Sequence, residues 1–205
     1  MPAATVAHTL CGPLVLVTPP SALPITLEQA KVQCRVDHAD EDEAFAEWIA
    51  EATEEAECLV EGHRQLCTAT YDLPLRDWWT CPLRLPRPPL QAVESIRYYD
   101  EDGSEATLPS TSYRVRQAWR QPGVIEWVSS AERPGIDSER EYPITIRFRA
   151  GYSDDGASVP LAAKSAVKLL VQARWQRDPM MPGGVDVYRR AAEDLMQSLG
   201  YGAYG

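Results

Sequence analysis

The spacing of apolar and polar positions divides the chain into helical and extended stretches. Thr26-Leu27-Glu28-Gln29 has the form of a capping box, so a short helix is predicted from there to about Val36. Asp37-His38-Ala39-Asp40 reads as a turn. Asp40, with Glu43 three residues on, marks a second helix start, where acids complement the helix dipole. This helix is predicted over 40–61, about 33 Å long, with Gly62 just beyond its end. On a helical wheel Phe45, Trp48, Ile49, Ala52, Ala56, Leu59 and Val60 share one arc. Glu43, Glu47, Glu51, Glu54, Glu57 and Glu61 fall on the opposite one. The pattern predicts one core face and one acidic face.

From 65 to 150 the period becomes two. Thr68, Thr70 and Asp72 alternate with Ala69, Tyr71 and Leu73. Val93, Ile96, Tyr98 and Tyr99 lead through Asp100-Glu101-Asp102-Gly103 to Ala106-Thr107-Leu108, a predicted hairpin with Gly103 left-handed. Residues 113–116, 124–127 and 144–149 are further strands. Pro82, Pro86, Pro88 and Pro89 confine 83–90 to an edge or an extended segment. Pro160 at the first position opens a third helix, lined by Val159, Ala163, Ala166, Val167, Leu169 and Leu170, which stops before Pro179. After a linker, 185–199 is amphipathic through Tyr188, Ala191, Ala192, Leu195, Met196 and Leu199, and 201–205 forms a tail.

The order of these elements predicts an α+β fold. A helical body carries an inserted antiparallel β-region, with a peripheral C-terminal helix and tail. The expected divisions are an extended arm at 1–24 with a short strand at Val15 and Val17, a main domain at 25–178, and a linker, helix and tail at 179–205.

Composition narrows the function. The chain has 205 residues, 44% apolar and 24% charged, which suits a globular protein with its own core. No apolar run is long enough for a membrane-spanning helix. Leu14-Val15-Leu16-Val17 has no basic residue before it and is too short for a secretory leader, so synthesis and residence in the cytoplasm are expected. The net charge is −10, and eleven acids with no Lys or Arg lie within 37–61. The remainder is near neutral, which argues against general attraction to nucleic acid. The five cysteines, 11, 34, 58, 67 and 81, show no metal or disulfide spacing and read as free thiols.

Candidate chemistry is sparse. His38 among Asp37, Asp40 and Asp42 could suggest a metal cluster, but a solvated turn is the simpler reading. Cys58 and His63, five apart, would not face each other on a continuous helix. Asp100 to Gly103 resembles part of a calcium loop without its closing Glu, and a hairpin turn fits better. The helix carboxylates lie on a solvated face, unsuited to general-acid work. Arg114, Arg116, Arg147 and Arg149 alternate with apolar residues, as on the outer face of a half-buried sheet. No catalytic residue, cofactor or metal is therefore expected. Of adjacent Trp78 and Trp79, one is expected in the core and the other as an exposed anchor, the competing reading being that both pack beneath a loop. Tyr188, Arg189, Arg190, Tyr201 and Tyr204 combine residue types that interfaces favour.

Three segments in this order resemble the head–tail connector (adaptor) family of long-tailed phages and gene transfer agents. PITLEQAKVQCRVDHADEDEAFAEWIAEATEEAECLVEGH resembles its helical pair, and LRLPRPPLQAVESIRYYDEDGSEATLPSTSYRV its strand block. ITIRFRAGYSDDGASVPLAAKSAVKLLVQARWQRD is similar to its closing strand, Ala-Gly-Tyr corner and Pro-started helix. The likeness spans roughly 24–178. It implies a non-enzymatic virion protein at the capsid–tail junction, assembled from the host cytoplasm. It implies a ring, a dodecamer, that binds the portal and the next connector (stopper) or a tail protein and extends the DNA channel. DNA would pass through without specific binding. On that reading Glu47, Glu51 and Glu54 are expected to face the channel, and Trp78, Trp79, Tyr188, Arg189, Arg190, Tyr201 and Tyr204 to meet the portal or a neighbour. Residues 185–205 are expected to dock on the portal. The alternatives are a nucleic-acid-binding module and an uncharacterised enzyme.

Overall fold

The structure, a computed structural model, describes residues 10–60, 63–117, 121–176 and 184–199. The chain divides into two compact units, one of residues 1–19 with 69–150 and one of 20–68 with 151–205.

The first unit is built from strands. A five-stranded antiparallel sheet has the order β1-β2-β8-β4-β5. Its strands are β1 (Val15–Thr18), β2 (Ala69–Leu75), β8 (Ile144–Ala150), β4 (Leu90–Tyr99) and β5 (Glu105–Thr107). A three-stranded sheet, β3-β7-β6, joins β3 (Leu83–Arg84), β7 (Val124–Trp127) and β6 (Tyr113–Arg116). The predicted alternation is present where it was strongest. In β2, Ala69, Tyr71, Leu73 and Leu75 are buried and the residues between them are not. In β8, Ile144, Ile146, Phe148 and Ala150 do the same. Both strands feed one core with Ile96, Leu108, Leu83 and Ile125. The hairpin forms as predicted, with Tyr99 opposite Glu105 and Gly103 at φ 76°. Asp100 Oδ1 accepts from the Asp102 and Ser104 amides at 3.0 and 2.9 Å, so its carboxylate is spent on the turn. The Pro-rich stretch yields only the two-residue edge strand β3.

The second unit is helical: α1 (Leu27–Cys34), α2 (Asp42–Cys58), α3 (Leu161–Trp175) and α4 (Gly184–Gln197). The capping box of α1 is complete, each of Thr26 and Gln29 bonding the other's backbone amide. The helix stops earlier than predicted because Arg35 turns left-handed. The cap of α2 is Glu41 rather than Asp40, without a side-chain bond. Asp42 instead pairs with Lys31 of α1. The helix also ends at Cys58, not near 61. Pro160 occupies the cap of α3, one position before the one predicted. Phe45, Ile49, Ala52, Ala56, Ala163, Ala166, Val167, Leu170 and Val171 make the core. Ala192, Met196 and Leu199 from α4 and its end complete it. Gly151, at φ 124°, is required: a Cβ there would lie 2.7 Å from the Cys67 carbonyl.

Candidate assembly surfaces

The acidic helix does not present one uniform face. Glu47 and Glu54 are exposed and have no ion-pair partner among the described residues. Glu51 is exposed but is tied to Arg174 of α3, at 3.0 Å. Arg174 also meets Glu55, at 2.9 Å, and Glu55 meets Arg189 of α4, at 2.6 Å. This ladder joins α2, α3 and α4 and cancels part of the negative charge.

Glu57, at the edge of the acidic arc, is buried and not solvated. It is only 9% exposed. Its Oε1 accepts from the Leu66 amide at 2.8 Å and from Gln65 Nε2 at 3.0 Å. The chain beyond α2 turns back over it, bringing the Arg64 amide to the Glu57 carbonyl at 2.9 Å. Arg64 is fully buried, donating to Tyr152 Oη at 2.9 Å and to the Leu199 carbonyl. Buried charge of this kind persists only when hydrogen-bonded.

The early end of α2 also brings Cys58 Sγ within 3.8 Å of His63 Nδ1, contrary to the helical expectation, because His63 (φ 49°) does not continue the helix. Both side chains are exposed. His38 pairs with Asp40 at 3.7 Å in an exposed turn. No group of three or more His, Cys, Asp or Glu among the described residues is placed to hold a metal. No helix among them is long and apolar enough to cross a membrane. Burial pushes the Cys34 and Cys67 thiols up to about 11. Burial also raises Cys11.

The tryptophan pair corrects the expectation of one exposed anchor. Trp78 and Trp79 are 6% and 1% exposed. β2 ends at Leu75, so the strand rule that sends neighbours to opposite faces does not apply to them. Trp78 Nε1 donates to the Pro134 carbonyl at 2.8 Å. Trp79 stacks on Trp127 with centroids 5.0 Å apart, and Trp78 meets Tyr98 edge-on at 5.4 Å. Both indoles therefore hold the β unit together. Trp79 and Trp127 also line an open cavity of about 250 Å³ with Thr80, Cys81, Pro82, Glu126 and Arg133.

On α4, Tyr188 Oη donates to Gln176 Oε1 at 2.7 Å, inside the helical unit. Arg189 is used in the ladder, and Arg190 is exposed. Tyr201 and Tyr204 lie outside the described residues. The strand arginines are largely paired. Arg147 grips Asp72 with two bonds of 2.7 and 2.8 Å, Arg149 reaches Glu94 at 3.7 Å, and Arg116 meets Glu126. They do not make a free basic stripe of the kind a nucleic-acid surface needs.

A surface that sequence reasoning undervalued is β1. Val15, Leu16, Val17 and Thr18 are all exposed, yet the strand pairs with β2 from Val15 opposite Asp72 onward. Leu10, Cys11 and Leu14 pack against the β core just before it.

No protein-family model and no curated protein sequence matches the chain. Solved structures do. A chain in the neck of an empty gene transfer agent particle, computed with C6 symmetry, superposes with a TM-score of 0.71 at 21% identity. The match covers 95% of this chain and 99% of that one. A chain in the neck of the native particle, computed with C12 symmetry, gives 0.68 at 21% identity, with the same coverage. A chain of the virion of a native gene transfer agent gives 0.68 at 22% identity, over 86% of this chain and 93% of that one. The mixed α+β fold of this chain is thus the fold of a gene transfer agent neck protein over nearly its whole length.

Proposed function

We propose that this chain is a structural component of the neck of a phage-like particle, forming a ring between the portal and the tail and extending the DNA channel. The observation that carries the reading is the end-to-end match of fold with chains of a gene transfer agent neck. Fold alone does not dictate function. Here the fold match is joined by side chains committed to packing: many of the described arginines are ion-paired and both adjacent indoles are buried in the β core. That arrangement suits a role in packing and assembly.

The ring is proposed as a dodecamer of this chain, with the portal on one side and the next connector or a tail protein on the other. Glu47 and Glu54 are proposed to face the channel, where carboxylates repel phosphate and let DNA slide. Glu51 contributes less, because Arg174 offsets its charge. Arg190 is proposed to meet a neighbour or the portal, together with Tyr201 and Tyr204. Docking by the whole of 185–205 is narrowed to 200–205 and the exposed side of α4, since Met196 and Leu199 belong to the helical core.

The experiment is co-sedimentation of the purified chain with the portal ring of the same particle, followed by electron microscopy. A coaxial ring added to the portal is the expected outcome. No binding at tens of micromolar, with both partners folded, would refute the proposal. Glu47→Lys with Glu54→Lys would then test the channel placement: the ring should assemble, and DNA release should slow.

A further inference from the structure

We propose that the open edge of β1 receives β5 of a second copy of this chain, so that the five-stranded sheets run head to tail around the ring. The inference rests on the ring reading above and names the surface that closes it. β1 and β5 are the two ends of the strand order, and among the described residues each pairs on one side only. A strand edge with unpaired N–H and C=O groups is a template for another strand.

The chemistry of the β1 edge is unusual for this protein. Val15, Leu16 and Val17 are 49%, 50% and 39% exposed. Edges left in water are blunted by charge, short length, Pro or bulges; β1 is short and irregular between Leu16 and Thr18, but residues 1–27 contain none of the Asp, Glu, Lys or Arg of the chain that would keep a second strand off. Pro13 on one side and Pro19-Pro20 on the other delimit the pairing stretch to 14–18, roughly 17 Å at 3.3 Å per residue. The preceding residues anchor in the core, so the edge is preformed and its ordering cost is already met.

Charge selects the occupant. Each copy carries −10, so two copies repel except where their charge is absent or paired. The β1 edge has no charge, and on β5 Glu105 is neutralised by Arg97 at 3.0 Å. β5 is likewise bounded, by the Gly103 turn and by Pro109. Pairing β1 with β1 would give a two-fold dimer and stop there. Pairing β1 with β5 joins two different surfaces and so propagates, as closure of a ring requires.

The test places p-benzoyl-phenylalanine at position 17 in the full chain, using a mixture of ¹⁵N-labelled and unlabelled copies. The mixture is assembled on the portal ring, irradiated and mapped by mass spectrometry. Cross-links from position 17 to residues 104–108 of a differently labelled copy are expected. Rings seen by microscopy with cross-links only inside one copy, or to another segment, would overturn this inference and leave the ring reading standing. Absence of rings from the unmodified chain as well would remove both. Independently, Leu16→Arg should reduce ring yield at least tenfold while leaving the circular dichroism and melting of the free chain unchanged. Ring formation by this folded variant at the unmodified level would also overturn the inference.

Discussion

Glu54 and Glu57 share one arc of the sequence-level wheel, and the structure predicts opposite outcomes for removing them. Glu57→Ala withdraws the acceptor of the Leu66 amide and of Gln65 Nε2, both buried. Each of these two buried hydrogen bonds costs about 1–3 kcal/mol to lose, so the loss is about 2–6 kcal/mol. In a chain of this size each kcal/mol moves the melting midpoint by about 2–4 °C, giving a fall of roughly 4–24 °C. Glu54 is exposed and Glu54→Ala should move stability by no more than about 0.5 kcal/mol, a shift of under about 2 °C. Glu57→Gln, which keeps an oxygen for the Leu66 amide, should fall between them, at about 1–2 kcal/mol. The assay is thermal melting followed by circular dichroism at 222 nm, which reports on the helical unit. Equal midpoints for Glu57→Ala and Glu54→Ala would refute the claim that the chain after α2 is held down through this carboxylate.

Other outcomes follow from the same contacts. Arg174→Ala breaks the ladder from Glu51 and Glu55 and should cost about 1–2 kcal/mol, with a smaller loss in 1 M salt than in 50 mM, read by urea titration. Gly151→Ala should destabilise by about 2–4 kcal/mol in the same titration, since it combines a disfavoured φ with a collision against the Cys67 carbonyl. In native protein at pH 8, iodoacetamide should modify exposed Cys58 and Cys81 first and Cys34 and Cys67 last, as followed by peptide mass. The thiols of Cys34 and Cys67 are raised in the fold, so unfolding releases their protons once the pH passes about 9. Their contribution is fully present below that and is lost progressively as pH rises toward about 11, which melting curves across that window would detect.

What could be read in the sequence was whatever local interactions decide. Thr26 and Gln29 satisfy each other across three residues, so the start of α1 needs no tertiary information. Gly103 and Asp100 make the hairpin turn from within it, and β2 and β8 alternate because each buries a single face. The misread positions are those whose environment is supplied from elsewhere in the chain. At about 100° per residue Glu57 lies only about 40° from buried Thr53, so a wheel places it at a boundary and cannot tell that residues 64–66 fold over it. The burial of both Trp78 and Trp79 comes from Trp127 and Tyr98, far along the chain, which adjacency in sequence does not reveal. The partition into units has the same origin: β2 and β8 pair across 69 to 81 residues, and no local signal states that residues 10–18 belong with them. The β1 edge joins both kinds of information. Its lack of charge is plain in the sequence, but only its place at the end of the sheet, exposed and already paired with β2, makes that lack of charge a reason to expect a second copy there.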